Sequence, residues 1–237
     1  MINPNGPYPG RQLFVGLTPD DRPGFAYLVT GRSPESRERK AILKDNSVYM
    51  GPVGNAPYDD LRHYTAVKWD NTSTLLVVTN GIQTEAIYET YRLLHNVKSD
   101  CDKMYLETLM DGAKSEPDSL NTPRISGLIA PNDDKTAWSY MVCLKAANKP
   151  ARATEIKAKL GVFSGVATYS GDMENPKPRD PMAVLATLDL EVKTADAIAA
   201  ALFDASAGEN KGNDIRVCTV AGVLKDGKWD IAVKNVH

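Results

Sequence analysis

The stretch Leu75-Leu76-Val77-Val78-Thr79-Asn80-Gly81 decides the fold. Its continuous apolar run indicates a β-strand that is covered on both faces, and Asn80-Gly81 ends this strand with common turn chemistry. The segment before it, residues 63–69, also has a strand pattern and is joined to it through Asp70-Asn71-Thr72. The two segments therefore predict a hairpin whose second strand is fully buried.

Helices are predicted on the C-terminal side of this hairpin and again near the end of the chain. Apolar residues recur there at helical spacing, behind residues that are suited to N-caps. A third helix is predicted over residues 195–205, with Thr194 at its N-cap. The periodic residues of the first two are Ile87, Tyr91 and Leu94, and Cys101, Tyr105 and Leu109, with N-caps at Thr84 and at Ser99 or Asp100.

The remaining strands lie towards both ends of the chain, and a polar, charged loop is expected over residues 32–44. The order strand-strand, helix-helix, strand-strand, helix, hairpin differs from the alternating βαβ order of a parallel sheet. It predicts an antiparallel α+β fold with helices outside the sheets, in one domain over residues 1–237. The strands are expected at 13–15, 25–29, 47–50, 74–79, 124–130, 136–144, 165–169, within 182–192, and in a hairpin of 215–224 and 229–236 across Asp226-Gly227.

Composition excludes several classes of function. The 237 residues carry a formal net charge of −2, which provides no broad field for nucleic acid. No apolar run approaches the roughly 18–20 residues that span a bilayer, and Met1-Ile2-Asn3 does not begin a signal peptide. The cysteines, Cys101, Cys143 and Cys218, are odd in number and widely spaced, which is typical of buried free thiols in a reducing compartment. We therefore expect a cytoplasmic protein.

The sequence lacks the motifs of metal and cofactor enzymes. It contains no HExxH, CxxC, Walker A, GxGxxG or GxSxG pattern. His63 and His95 lack metal-ligand spacing and are expected to be a strand residue and an exposed helix residue, and His237 is the last residue. No metal and no cofactor are therefore expected.

Polar residues at strand ends form the candidate site. Arg32 follows a strand, where a guanidinium can bind phosphate bidentately, whereas Arg37-Glu38-Arg39-Lys40 is interpreted as a solvated charge run. Thr79-Asn80-Gly81 lies between a buried strand and a helix and can bind an anion or a carbonyl, although a simple turn explains it too. Asn121-Thr122-Pro123-Arg124 brings an amide and a guanidinium to the start of an apolar strand, where an unpartnered charge would be costly.

Three segments, which contain Arg32, Thr79-Asn80-Gly81 and Asn121-Thr122-Pro123-Arg124, resemble in their order along the chain the archaeal-type inosine monophosphate (IMP) cyclohydrolases over about the first 130 residues. The most specific motifs are Asn-Thr-Pro-Arg-Ile and Ser/Thr-Asn-Gly. Gly31 stands where the family usually has serine, and the spacing from Tyr58 to Tyr64 is longer, so that either tyrosine can fill the family's catalytic position. The region of Pro57-Tyr58 and Tyr64 resembles the family's segment of closely spaced tyrosines. The three ordered segments are Gly10-Arg11 through Tyr27 with Gly31-Arg32-Ser33; Val77 through Gly81 with Gln83-Thr84-Glu85; and Glu116 through Asn121-Thr122-Pro123-Arg124-Ile125.

The resemblance implies a fold similar to N-terminal nucleophile (Ntn) hydrolases, a four-layer αββα sandwich of two antiparallel sheets flanked by helices. It also implies dehydrative ring closure of 5-formamidoimidazole-4-carboxamide ribonucleotide to IMP in purine synthesis, on a small-molecule nucleotide, in a homo-oligomer. Ring closure within one molecule needs positioning and proton transfer but no cofactor. The implied catalytic residues are Arg32, Tyr58 or Tyr64, and Glu116, and the implied substrate-binding residues are Arg11, Arg32, Ser33, Asn80, Gly81, Asn121, Thr122 and Arg124.

Two alternatives stay open at this point. An Ntn-type amide hydrolase would need cleavage of the chain to expose a nucleophile, for example Thr30, Ser33 or Thr79, because Met1-Ile2-Asn3 offers none. A non-catalytic purine-nucleotide-binding protein would keep the pocket without the chemistry.

Overall fold

A computed structural model describes residues 8–72, 74–97, 103–132 and 136–237. Two large antiparallel sheets and a few helices make up the α+β fold, as predicted. Within the described ranges no helix is both long and apolar enough to cross a bilayer. The residues 1–7, Ser73, the predicted caps Ser99 and Asp100 with Cys101, and part of the predicted turn at 133–134 lie outside the described residues.

The first large sheet has six strands and the second has seven. All neighbours in both sheets pair antiparallel. The helices are α1 (Pro34–Arg37), α2 (Thr84–Asn96), α3 (Lys103–Ala113) and α4 (Ala195–Ala205). The strands are β1 (Gln12–Leu17), β2 (Pro23–Thr30), β3 (Arg39–Lys44), β4 (Ser47–Pro52), β5 (Tyr64–Trp69), β6 (Leu76–Thr79), β7 (Arg124–Pro131), β8 (Trp138–Lys145), β9 (Arg152–Glu155), β10 (Val162–Ala167), β11 (Tyr169–Ser170), β12 (Lys177–Pro178), β13 (Ala186–Asp189), β14 (Glu209–Asn210), β15 (Asn213–Asp214), β16 (Arg216–Lys225) and β17 (Lys228–Asn235). The strand order is β13-β10-β1-β2-β16-β17 in the first sheet and β3 to β9 in the second.

Strand β6 shows why its sequence is a continuous apolar run. Leu76 and Val78 pack into a cluster that also contains Leu13 and Tyr27 of the first sheet. The alternate residue Val77 packs into a second cluster with α2 and α3. Since successive side chains of a strand point to opposite faces, both faces of this strand are buried. The prediction of a doubly covered strand is confirmed.

The helices pack against the sheets through their apolar faces. Ile87 and Tyr91 of α2 contact the second sheet, and Ile198 and Leu202 of α4 contact the first. Helix α4 has the predicted bounds, and the Thr194 hydroxyl accepts a hydrogen bond from the Ala197 amide as its N-cap. The predicted cap of α2 is wrong by one residue, because Gln83 holds the cap position and Thr84 begins the helix.

The prediction of a loop over residues 32–44 is wrong. It contains α1 and the whole of β3, which pairs with β4 across Asp45-Asn46. Arg39 and Ala41 are buried at the start of β3, so the segment is not a solvated charge run. The charged residues obscured the strand pattern in the sequence. The start of β3 is buried only because this strand pairs with β4 and packs against the first sheet.

Three further differences concern strand β9, the end of β10 and residue His63. Strand β9 was not predicted, since its sequence Arg-Ala-Thr-Glu buries only Ala153. The strand expected over residues 165–169 ends at Ala167, and Thr168 separates it from the short β11. His63 lies just before β5 rather than in a strand, where its Nδ1 accepts a hydrogen bond from the Asp59 amide at 2.9 Å.

Several strand termini meet at one end of both sheets. Gln12 of β1 pairs with Leu28 and Ala167, so that Arg11 lies beside the end of β2 and the end of β10. In the second sheet, Thr79 at the end of β6 pairs with Ser126 near the start of β7. The loops that leave these termini surround the candidate site.

Candidate active site

A cavity of about 560 Å³ opens where these strand ends meet. Its size is ordinary for a small-molecule site, for which about 300–1,000 Å³ is typical. The polar lining carries more cationic than anionic side chains. The lining residues are Tyr8, Gly10, Arg11, Thr30, Arg32, Ser33, Pro34, Ser36, Arg39, Asp59, Leu61, Arg62, Glu116, Asp118, Leu120, Thr122, Tyr169, Asn210 and Lys211.

A buried ion cluster forms the floor of the cavity. Arg11 donates two parallel hydrogen bonds to Glu116, from Nη1 to Oε1 at 2.7 Å and from Nη2 to Oε2 at 2.8 Å. Arg124 donates from Nη1 to the same Oε1 at 3.0 Å. All three side chains are less than one-tenth exposed. The carboxylate therefore joins β1, β7 and the loop after α3 at a single point.

The two arginines of this cluster differ in electrostatic environment. Burial lowers the pKa of Arg11, but the adjacent Glu116 carboxylate outweighs it and the pKa lies well above its usual value. Burial lowers the pKa of Arg124, and the charge of Arg11 lowers it further against the opposing effect of Glu116. Both guanidinium groups remain charged, since arginine does not deprotonate in proteins. The cluster carries one more positive than negative charge.

Asn80 and Gly81 hold the two arginines of the ion cluster in position. The Asn80 carbonyl accepts a hydrogen bond from Arg11 Nη1 at 3.1 Å, and its side chain donates to the Pro123 carbonyl and accepts from the Ile125 amide. A Cβ atom at Gly81 would lie 1.9 Å from Arg124 Nη1. Asn80 therefore joins β6 to β7, and the position of the Arg124 guanidinium requires glycine at residue 81.

The loop before β7 presents Thr122 to the cavity. Asp118 accepts hydrogen bonds from the Thr122 amide at 2.8 Å and from its hydroxyl at 2.5 Å, which closes a tight turn. Asn121, inside this turn, has a φ of 49° and is exposed. The Thr122 hydroxyl also contacts the hydroxyl of Tyr169, whose pKa burial raises to about 12. Thr122 thus lines the cavity, whereas Asn121 shapes the turn.

Arg32 lies in the wall of the cavity, beside Tyr8. Its Nη1 donates to the Met173 carbonyl at 2.8 Å, and its guanidinium lies 5.9 Å from the ring centre of Tyr8. Tyr8 in turn stacks on Tyr169 at 6.0 Å. Ser33 follows Arg32 in the lining and caps α1 through its hydroxyl. This wall offers flat aromatic and guanidinium surfaces beside the cavity.

The two candidate tyrosines lie outside the lining. Tyr64 is buried, and its hydroxyl is 2.9 Å from the hydroxyl of Tyr27. Burial raises the pKa of Tyr27 well above its usual value, and Tyr64 raises it further. Tyr58 is 66% exposed and its ring lies 5.4 Å from that of His63. The charge of Arg11 opposes the rise in the pKa of Tyr27, so the Tyr27–Tyr64 pair lies near the buried ion cluster. Tyr58 lies on the loop that carries Asp59 and Arg62.

The structure thus divides the candidate residues into three groups. Arg11, Arg32, Ser33, Glu116 and Thr122 share the cavity. Asn80, Gly81 and Arg124 lie in the layer beneath it, in contact with the floor. Tyr58, Tyr64 and Asn121 are outside the cavity lining.

Sequence reasoning missed several lining residues. Tyr8 and Tyr169 are 161 positions apart in the chain, and Asn210 and Lys211 belong to the small β14–β15 ribbon. No local pattern marks these residues, because they are brought together only by contacts between distant segments. Arg39 was interpreted as part of a solvated charge run, because only the pairing of its segment with β4 shows that it begins a buried strand. Over the described ranges no group of three or more histidine, cysteine and acidic side chains is arranged to hold a metal ion.

Comparison with known proteins identifies the family. The model of the family described as IMP cyclohydrolase-like protein matches residues 8–228. The chain belongs to the IMP cyclohydrolase-like family. The IMP cyclohydrolase of Methanocaldococcus jannaschii is 29% identical over 225 residues, which cover 93% of this chain and 96% of that protein. The IMP cyclohydrolase of Methanococcus aeolicus is 28% identical over 167 residues, 68% of this chain and 74% of that protein.

The match to the IMP cyclohydrolase-like family extends beyond the first 130 residues on which the sequence resemblance depends. It includes Tyr169, Asn210 and Lys211, which complete the cavity. The family assignment from the sequence is confirmed.

Proposed function

We propose that this chain is an IMP cyclohydrolase that closes the ring of 5-formamidoimidazole-4-carboxamide ribonucleotide. The observation that carries the proposal is the family match over nearly the whole chain, together with relatives named IMP cyclohydrolase. The cavity supports it, because it is large enough for a nucleotide and is lined by guanidinium, hydroxyl and aromatic groups. These comparisons favour the cyclohydrolase over an amide hydrolase or a non-catalytic binding protein.

The chemistry requires positioning and two proton movements. The carboxamide nitrogen attacks the neighbouring formyl carbon and loses one proton, and the formamide nitrogen loses a second proton as the C=N bond of the ring forms. The formyl oxygen takes up two protons and leaves as water. Both reacting groups belong to one substrate, so the protein must hold them in a near-attack geometry and supply hydrogen bonds to the developing charge. A rigid floor of charged groups in a buried site is suited to this task.

Glu116 is proposed to act as a positioning residue. Its two oxygens already accept three charged hydrogen bonds from Arg11 and Arg124. With three of its roughly four acceptor positions occupied, the carboxylate is better suited to orienting Arg11 than to removing the amide proton. Arg11, fixed by Glu116 and by the Asn80 carbonyl, then faces the cavity as a donor to the substrate. Thr122 and Ser33 complete the proposed polar contacts, with Asn80, Gly81, Asn121 and Arg124 holding the loops in place.

The remaining catalytic proposal concerns the proton donor. Of the two tyrosines, the contacts favour Tyr64, because it is buried and its hydroxyl contacts that of Tyr27, on whose pKa the charge of Arg11 acts, whereas Tyr58 is 66% exposed. We expect Tyr64→Phe to lower kcat by about 100-fold, the lower range for loss of a general acid, and Tyr58→Phe to change it by less than about threefold.

Tyr27→Phe is the matched control for Tyr64→Phe, because it removes the same hydroxyl–hydroxyl contact from the other side. An equal loss of kcat in Tyr27→Phe would assign a structural role to the contact. A loss in Tyr58→Phe alone would transfer the catalytic role to Tyr58.

Arg32 is proposed as a substrate anchor. Arg32→Ala should raise KM by about 10- to 100-fold, the range for one charged hydrogen bond, and change kcat far less. Steady-state kinetics measure both constants. Arg92→Ala, which removes an exposed guanidinium from α2, should leave them unchanged. An unaltered KM with a reduced melting temperature would make Arg32 a structural residue.

A ring-closure assay tests the proposed activity itself. The purified chain is incubated with 5-formamidoimidazole-4-carboxamide ribonucleotide, and IMP is followed by ultraviolet absorbance, with and without EDTA. We expect turnover in both samples, because the proposed chemistry uses only groups of the protein. Binding of IMP without turnover would instead favour the non-catalytic binding protein, and a cleaved chain by intact mass would favour the amide hydrolase.

The proposal extends to fold class and cellular context. The helices on the outer faces of the two sheets support a four-layer αββα arrangement of the Ntn-hydrolase type, in one domain over residues 1–237. The resemblance supports a homo-oligomer in the cytoplasm. The net charge of −2 favours a small nucleotide rather than nucleic acid as the partner.

A further inference from the structure

Arg39 is a buried cation in the wall of the cavity. It begins β3 and is 4% exposed. Its Nε atom has no hydrogen-bond partner, and the whole guanidinium makes no hydrogen bond or ion pair with any residue in the described ranges. The side chain therefore holds a desolvated positive charge next to an open space.

The other arginines of the cavity are partnered. Arg11 is paired with Glu116. Arg62 is paired with Asp59 through Nε at 2.9 Å, and its Nη1 donates to the Glu35 carbonyl. Arg32 donates to the Met173 carbonyl. Of these four arginines, Arg39 is the one whose side chain has no polar partner in the described residues. An isolated charge is costly to bury, so a bound anion would stabilise it.

The charge of Arg39 acts on Tyr8, which lines the cavity, because burial raises the pKa of Tyr8 and the positive charge of Arg39 opposes this rise. Burial and Tyr64 raise the pKa of Tyr27, while the positive charges of Arg11 and Arg39 oppose this rise. Burial also lowers the pKa of His63. The positive charges of Arg62 and Arg39 lower this pKa further, whereas the negative charge of Asp59 raises it. Arg39 and Arg62 therefore act on the same region. Since Asp59 compensates Arg62, one uncompensated cation remains there for a ligand.

We infer that the Arg39 guanidinium binds the phosphate monoester of the purine nucleotide, an inference that rests on the proposed function. A phosphate presents several oxygens to the planar fork of a guanidinium, and a desolvated site strengthens this contact. Arg32, which lies beside Tyr8, then belongs to the part of the cavity that receives the base and ribose. The nucleotide would lie between these two arginines, above the Arg11–Glu116 floor.

The test compares IMP with inosine, which lacks the phosphate. Calorimetry gives the IMP affinity, and displacement of IMP by inosine reports weak nucleoside binding. We expect Arg39→Met to weaken IMP binding by about 10- to 100-fold and to leave inosine binding within about twofold. Lys40→Met is the matched control, since this neighbour lies outside the cavity lining and should retain the preference for IMP.

A structural role predicts different results. If Arg39→Met weakens IMP and inosine equally, or if the folded variant keeps the preference for IMP, the inference is overturned. Removing the unpaired charge should not lower the melting temperature without nucleotide, and a large decrease would also count against the inference. Arg39→Lys provides a second variant that keeps the charge but loses the fork, and we expect an intermediate IMP affinity.

Failure of the proposed function gives a separate result. Wild-type protein that neither binds IMP nor closes the ring would refute the proposed function. Wild-type protein that does both, with an unaffected Arg39→Met variant, would refute only the phosphate assignment.

Discussion

Glu116→Gln is expected to lower the free energy of unfolding by about 3–5 kcal/mol, the cost of leaving buried charges without their partner. Glu116 is 3% exposed and compensates both Arg11 and Arg124. Glutamine keeps the size of the side chain but loses its charge, so that two guanidinium groups repel each other beneath the cavity. Chemical denaturation measures the loss, and we expect ring closure to disappear with it.

Glu89→Gln is the matched control for this change. Glu89 also contacts two cations, Arg92 at 2.7 Å and Lys68 at 3.3 Å, but it lies on the surface of α2. Surface ion pairs contribute only about 0–1 kcal/mol, so this variant should remain close to wild type in stability and activity. Similar losses in the two variants would contradict the importance of burial at Glu116.

Gly81→Ala is expected to displace the Arg124 guanidinium and to reduce kcat by about 100-fold, the cost of a misplacement of about 1 Å in a catalytic site. The added Cβ would lie 1.9 Å from Nη1 of Arg124 and 2.9 Å from Oε1 of Gln83. Both side chains are buried and cannot withdraw into solvent. Overpacking of this kind lowers the free energy of unfolding by about 1–3 kcal/mol.

Gly112→Ala shows what the same substitution does without the steric conflict. Gly112 lies inside α3, and nothing stands within 4 Å of its added Cβ. Alanine in an open helical position should stabilise the fold by about 0.5–1 kcal/mol. Thermal denaturation and the ring-closure assay measure both variants. An active, stable Gly81→Ala protein would contradict the close contact between residue 81 and Arg124.

Elements whose pattern is local were predicted from the sequence. The apolar run at Leu75–Val78, the helical spacing of α4 and the Asp226-Gly227 hairpin each carry their own signal, and the structure confirms all three. Strands β3 and β9 carry none, because charged residues occupy half of their positions. Their strand conformation comes from pairing with β4 and β8.

The candidate site divides in the same way. The Asn-Thr-Pro-Arg and Thr-Asn-Gly motifs marked residues that meet at the floor, since short motifs at strand ends are visible in one sequence. Their roles became clear only in three dimensions. Arg124 is a partner of Glu116 beneath the cavity, and Asn121 is a turn residue with a positive φ.

The sequence by itself determined the fold class, the family and the segments that carry polar groups, because periodicity and motifs are properties of neighbouring residues. The tertiary structure alone decided which charges are compensated. Arg11 lies 105 positions from its partner Glu116, whereas Arg39 has no acidic partner within the described residues. Burial and pairing arise from contacts between distant segments, so the same residue type becomes a structural ion pair in one place and a candidate ligand site in another.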